Sequence, residues 1–201
     1  MLAIIEAAGW PIWFLILASV IALAIILERL WGLRAAVVAP PCLLDETLAV
    51  WRRQGADDGL IRRMASGAPL ARVLAAGLRN ADQPREIMKD AIEEAGRGVS
   101  PELDRFLTTL GTIAAMAPLL GLLGTVFGMI EIFAAQGPAG ENPMQLAHGI
   151  SIALYNTAFG LIVAIPSMIF YRHFRARSDQ LLLDMEQQAL RLVEVVHAEP
   201  R

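Results

Sequence analysis

The sequence predicts an all-α membrane protein: three transmembrane helices with long cytoplasmic helical extensions. Three observations predict it. First, 56% of the 201 residues are hydrophobic and 18% are charged, with a mean hydropathy of +0.51. A soluble domain carries about 25% charged residues. Second, three stretches lack charge over about 20 residues, the length that spans a bilayer core as a helix. Third, the 17 lysines and arginines are segregated. None lies in 1–28 or 106–171, twelve lie in 29–105 and five in 172–201.

Residues 1–10 form the N-terminal flank, whose single charge is Glu6. Residues 11–30 are the first span. A cleaved signal peptide needs positive charge ahead of its apolar stretch. Here Arg29 and Arg34 follow the stretch, so it reads as a true transmembrane helix. Its one central hydroxyl is Ser19, and a face of Leu, Ile, Val and Ala suits lipid.

Residues 31–105 are polar, helix-prone and rich in charge, as in Arg85–Glu86, Lys89–Asp90 and Glu93–Glu94, with Gly55, Gly59 and Gly67 breaking the first half. They read as a solvated helical hairpin. The lone Cys42 allows no intrachain disulfide. His148, His173 and His197 lack the i, i+4 partner of a helical metal site, so no metal is expected.

The second span is 106–131, a short loop occupies 132–148 and the third span is 149–171. Residues 172–201 continue as a C-terminal helix. Leu182, Met185, Ala189, Leu192 and Val196 repeat there at alternating spacings of three and four, a seam that asks for a helical partner. Basic residues stay on the cytoplasmic side of a membrane. Segments 31–105 and 172–201 are therefore cytoplasmic. The N-terminus and the 132–148 loop lie on the periplasmic side.

Helices in lipid associate through close backbone approach and interhelical hydrogen bonds, so their interfaces favour small residues. The second span carries Ala114, Ala117, Gly121, Gly124 and Gly128 on one ridge. The third carries Gly149, Ala153, Asn156, Thr157, Gly160, Ala164 and Ser167 on one broad face. Pro118 and Pro166 are expected kink sites. Intramembrane hydroxyls and amides either hold the helices together or serve an ion pathway. No Asp, Glu, Lys, Arg or His occurs in the interior of the spans, Glu28, Arg29 and Glu131 sitting at their ends. Ion pathways usually show such a group. A protein of this sequence that handles protons must borrow its titrating carboxylate from a partner.

Two stretches then carry a resemblance. Gly121-Leu-Leu-Gly-Thr-Val-Phe-Gly128, preceded by Ala117-Pro118-Leu119-Leu120, resembles the second-span signature of the MotA/TolQ/ExbB proton-channel family. Residues Gly149 to Pro166, GISIALYNTAFGLIVAIP, resemble its third-span signature. Three spans and a large first cytoplasmic loop resemble the ExbB/TolQ branch. The resemblance implies a homopentameric ring in the bacterial inner membrane whose second and third spans surround two single-span ExbD- or TolR-like helices. Each of those helices would bring one membrane aspartate. Proton flow would then drive a TonB-like protein towards the outer membrane.

By position, Thr125 and Thr157 match the family's pore threonines, and the resemblance gives them contact with the partner's aspartate. Many ExbB proteins carry a glutamate where this sequence has Ile152, and Asn156 is the candidate for polar compensation. Ala114, Ala117, Gly121, Gly124, Gly128 and Gly160 are the expected packing residues, on a ridge that would admit a partner closely. The resemblance implies no cofactor. Protons are the expected coupling ion, and sodium stays open because the selecting group belongs to the partner. A TolQ-like envelope-integrity subunit, a gliding-type stator and a non-conducting scaffold are the competing readings. No phosphate loop, nucleophile elbow or metal-binding helix motif points to an enzyme, and no nucleic-acid partner is expected.

Overall fold

The structure is a computed structural model that describes residues 10–55, 57–134 and 143–198, leaving aside the side chains of residues 143–146, 148 and 152. Most of the expected 1–10 flank and the middle of the 132–148 loop lie outside the described residues. The described residues are helical, without strands. In chain order the helices are α1 (Pro11–Gly32), α2 (Ala35–Val38), α3 (Leu43–Gln54), α4 (Asp58–Ala65), α5 (Pro69–Arg79), α6 (Arg85–Leu103), α7 (Leu107–Ala134) and α8 (Pro143–Ala198). Three stretches are long and apolar enough to cross a membrane: Pro11–Gly32, one within Arg85–Ala134 and one within Gly149–Ala198. They fall on α1, α7 and the first half of α8.

The chain forms two compact units. One comprises α1 up to Glu28, then Phe106 through His173. In it α7 and α8 pair along small residues, and α1 packs beside them through Leu15 against Ala117 and Ala164, flanked by Leu120 and Val163. Trp10 closes on Phe127, ring centroids 5.7 Å apart. The face of α1 bearing Ile12, Leu15, Ala22, Ile25 and Ile26 is buried, and the face bearing Trp13, Phe14, Leu17 and Val20 is exposed. A wholly lipid-facing first span is thereby corrected to one with a packed face.

The second unit comprises Arg29–Arg105 and Phe174–Arg201. It is a packed helical domain, where the sequence reading expected a hairpin. The reason lies in α5, PLARVLAAGLR, which carries a broad apolar face opposite a narrow side marked by Arg72 and Arg79. Leu70, Val73, Leu74, Gly77 and Leu78 are all buried. So broad an apolar face needs more than one neighbour to cover it. Helices α4 and α6 flank it, and α8 reaches it where Leu192 faces Gly77. The expected C-terminal seam is present with one change. Leu181 is buried rather than Leu182, alongside Met185, Ala189, Leu192 and Val196. Leu182 is half-buried.

Polar groups close the helix ends of this unit. Asp57 caps α4, its Oδ2 accepting from the amides of Gly59 at 3.1 Å and Leu60 at 3.3 Å. Arg29 is 6% exposed. Its Nη1 donates to the carbonyls of Glu102 at 3.2 Å and Leu103 at 3.3 Å. A cation there satisfies orphan carbonyls and complements the negative end of the α6 dipole. Asp104, just beyond α6, accepts from Arg175 at 2.5 Å and Ser178 at 2.8 Å.

Candidate functional site

The α7–α8 pair is built on missing side chains. A Cβ placed on Gly128 would lie 3.2 Å from Ala153 Cβ. One on Gly124 would lie 2.7–2.8 Å from the Asn156 side chain. One on Gly121 would lie 2.7 Å from the Asn156 carbonyl oxygen and 3.0 Å from Thr157 Cα. One on Gly160 would lie 2.6 Å from the Ala117 carbonyl oxygen. The contacts run down one helix and up the other, so the pair is antiparallel, with its backbones nearly touching. Leu107, Leu110, Ala114, Ala117, Gly121 and Gly124 of α7 are buried, as are Ala153, Asn156, Gly160, Ala164 and Ser167 of α8.

The ridge expected to admit a partner is therefore covered by this chain's own third apolar helix. That corrects its role. The small residues hold the pair together.

Helix geometry fixes where the threonines emerge. Each residue turns about 100° from the last. In an antiparallel pair the direction of travel and the direction of facing are both reversed, so the residue after a seam position turns to the same side in both helices. Thr125 follows Gly124, and Thr157 follows Asn156. Both point to one side. The residues before seam positions, Ile113, Met116, Leu120 and Val163, turn the other way, and that is where α1 lies.

Thr125 and Thr157 are thus on the side of the pair away from α1. Both are half-buried. Thr125 Oγ1 donates to the Leu122 carbonyl at 2.7 Å, leaving its lone pairs as acceptors. Leu122, Leu154, Leu161 and Ile165 share this side and are exposed. A bare apolar strip carrying two hydroxyls can receive another helix and accept a hydrogen bond from it.

The remaining site residues are placed as follows. Asn156 is 1% exposed and sits inside the seam against Gly124, apart from the threonine side to which compensation would have assigned it. Gly128 is half-buried. Pro118 and Pro166 lie inside helices assigned without interruption. Next to Pro166, Ser167 Oγ donates to Val163 at 2.7 Å. The Ile152 side chain lies outside the described residues. The sequence reading missed Arg29 and Asp104 as buried or shared polar anchors. Arg29 stood out only as the first positive charge after an apolar stretch, a pattern that also fits a solvated flank.

The description of the MotA/TolQ/ExbB proton channel family matches residues 65–187. That match takes in α5, α6, α7 and most of α8. The chain belongs to the MotA/TolQ/ExbB proton channel family. Among its relatives, a putative biopolymer transport protein ExbB-like 3 from Synechocystis is 31% identical over 163 residues, 79% of this chain and 77% of its own. The biopolymer transport protein ExbB of Aquifex aeolicus is 43% identical over 86 residues, 42% of this chain and 58% of its own. The Tol-Pal system protein TolQ of Haemophilus influenzae is 32% identical over 109 residues, 52% of this chain and 48% of its own. Relatives named ExbB support the ExbB-like branch.

Proposed function

We propose that this protein is the ExbB-like subunit of a proton-driven motor in the bacterial inner membrane. A homopentamer of it, N-terminus periplasmic and C-terminus cytoplasmic, surrounds two copies of an ExbD- or TolR-like single-span protein. The assembly passes the work on to a TonB-like protein for outer-membrane import. The observation that carries the reading is the common side of Thr125 and Thr157, opposite α1. With α1 outward, that side faces the centre of a ring.

The chemistry follows from what the spans lack. Residues 107–130 and 149–171 contain no Asp, Glu, Lys, Arg or His. The proton carrier is then the partner's membrane aspartate. Protonated, it donates to a threonine oxygen. Ionised, it accepts from the hydroxyl. Neither threonine takes or loses a proton. Moving one charge through about 100 mV yields about 2.3 kcal/mol, and one neutral hydrogen bond contributes about 0.5–1.5 kcal/mol. Each proton therefore exchanges a few hydrogen bonds, and work accumulates in small steps.

The similarity to TolQ favours a second reading, a TolQ-like subunit serving envelope integrity. Co-expression with the single-span protein encoded beside it, followed by native mass measurement and proton uptake in vesicles, tests the proposal. Five copies with two partners and proton flux are expected. Co-purification of a TonB-like or a TolA-like third component separates the two motor readings. An assembly that excludes every carboxylate-bearing partner would leave a non-conducting scaffold.

A further inference from the structure

We infer that Asn156 is a positioning residue: its side chain is the knob that Gly124 receives, and this fit sets the rotation and depth at which Thr125 and Thr157 emerge together. Only the functional consequence rests on the proposed function. The positioning itself rests on geometry.

Asn156 presents two different surfaces to α7. Its side chain occupies the space a Cβ on residue 124 would need, with Cγ, Cβ and Nδ2 within 2.8 Å of that point. Its main-chain oxygen blocks residue 121, 2.7 Å from where a Cβ there would sit. The neighbouring seam contacts are of other kinds. Gly160 lies on the Ala117 main chain, and Gly128 lies against the small side chain of Ala153. In this cluster Asn156 is the contact in which a polar side chain enters a hole in the facing helix. Smooth glycine and alanine surfaces slide and rotate at little cost, whereas a knob in a hole resists both.

Each threonine is the next residue after one member of this fit. A rotation of either helix about the contact moves its threonine by the same angle. The knob therefore aligns both hydroxyls at once, from a position that touches neither the partner nor a proton.

The difference between side-chain and main-chain contact gives a decisive experiment in the full-length protein in membranes. Cysteines replace Thr125 and Thr157, and Cys42→Ser removes the native thiol. A short bifunctional thiol reagent then reports how well the two positions share a side. Gly124→Ala is expected to lower the cross-link yield about tenfold by overpacking. Adding Asn156→Gly should restore it, because Cβ, Cγ and Nδ2, the atoms that collide, are all gone. Gly121→Ala should also lower the yield, and Asn156→Gly should not restore it, because the main-chain oxygen stays. Rescue at 124 and not at 121 supports the knob. No rescue at 124, or equal rescue at both, overturns it.

A second readout uses native threonines and the partner complex. Gly124→Ala should depress proton uptake, and Asn156→Gly should recover it. Cross-link rescue without any effect on proton uptake would support the positioning and count against the proposed role of the threonines.

Discussion

Gly160 lies so close to Ala117 that a Cβ on it would sit 2.6 Å from the Ala117 carbonyl oxygen. The neighbour is main chain, which cannot swing aside as a flexible side chain can. Gly160→Ala should therefore force α7 and α8 apart and cost about 1–3 kcal/mol. A lower thermal midpoint of the purified protein is the expected result. An unchanged midpoint would mean that the helices do not meet here.

Thr157→Val and Thr125→Val keep the side-chain shape and remove the hydroxyl. The Thr125 hydroxyl donates only to its own helix, so Thr125→Val should change stability by less than about 1 kcal/mol. Proton uptake by the complex with its carboxylate-bearing partner should nevertheless fall for either variant. Full uptake with both valines present would make these hydroxyls helix glue.

Arg29 tests the helix-end reading. Arg29→Met keeps much of the bulk and removes the donors to Glu102 and Leu103. A loss of about 1.5–3 kcal/mol is expected, the range for hydrogen bonds to charged groups. Protease resistance of the segment around Leu103 gives a local readout, and it should drop before global unfolding.

Leu74 tests whether the second unit is a packed domain. It is fully buried, whereas Ile87 is 46% exposed. Leu74→Ala should cost about 2–5 kcal/mol, while Ile87→Ala should stay within about 0.5 kcal/mol. Denaturant unfolding of the detergent-purified protein measures both. Equal effects would leave the solvated hairpin standing.

The apolar stretches were legible because a bilayer demands uncharged runs of fixed length, and that demand is written residue by residue. The small-residue ridge was legible for the same reason: Ala114, Ala117, Gly121 and Gly124 recur at helical spacing. What covers the ridge was not legible. A glycine face looks the same whether it meets its own chain or another, and the contacts of Gly121, Gly124, Gly128 and Gly160 with the facing helix distinguish them. Helix α5 was hidden because arginines at its ends and a run of charges beyond it made the whole segment look solvated. The shift from Leu182 to Leu181 came from two adjacent leucines, either of which continues the spacing. Thr125 and Thr157 came from resemblance. Their common side came from the antiparallel seam.

That seam also divides the positions of the pair by what inheritance can do with them. At Gly121, Gly124 and Gly160 a single methyl group already collides, so change there is closed unless a neighbour changes with it. Leu122, Leu154, Leu161 and Ile165 stand in open space on the threonine side, and any of them can be exchanged without disturbing the frame. A lineage can therefore rewrite the threonine side one residue at a time while the contact between the two backbones stays as it is.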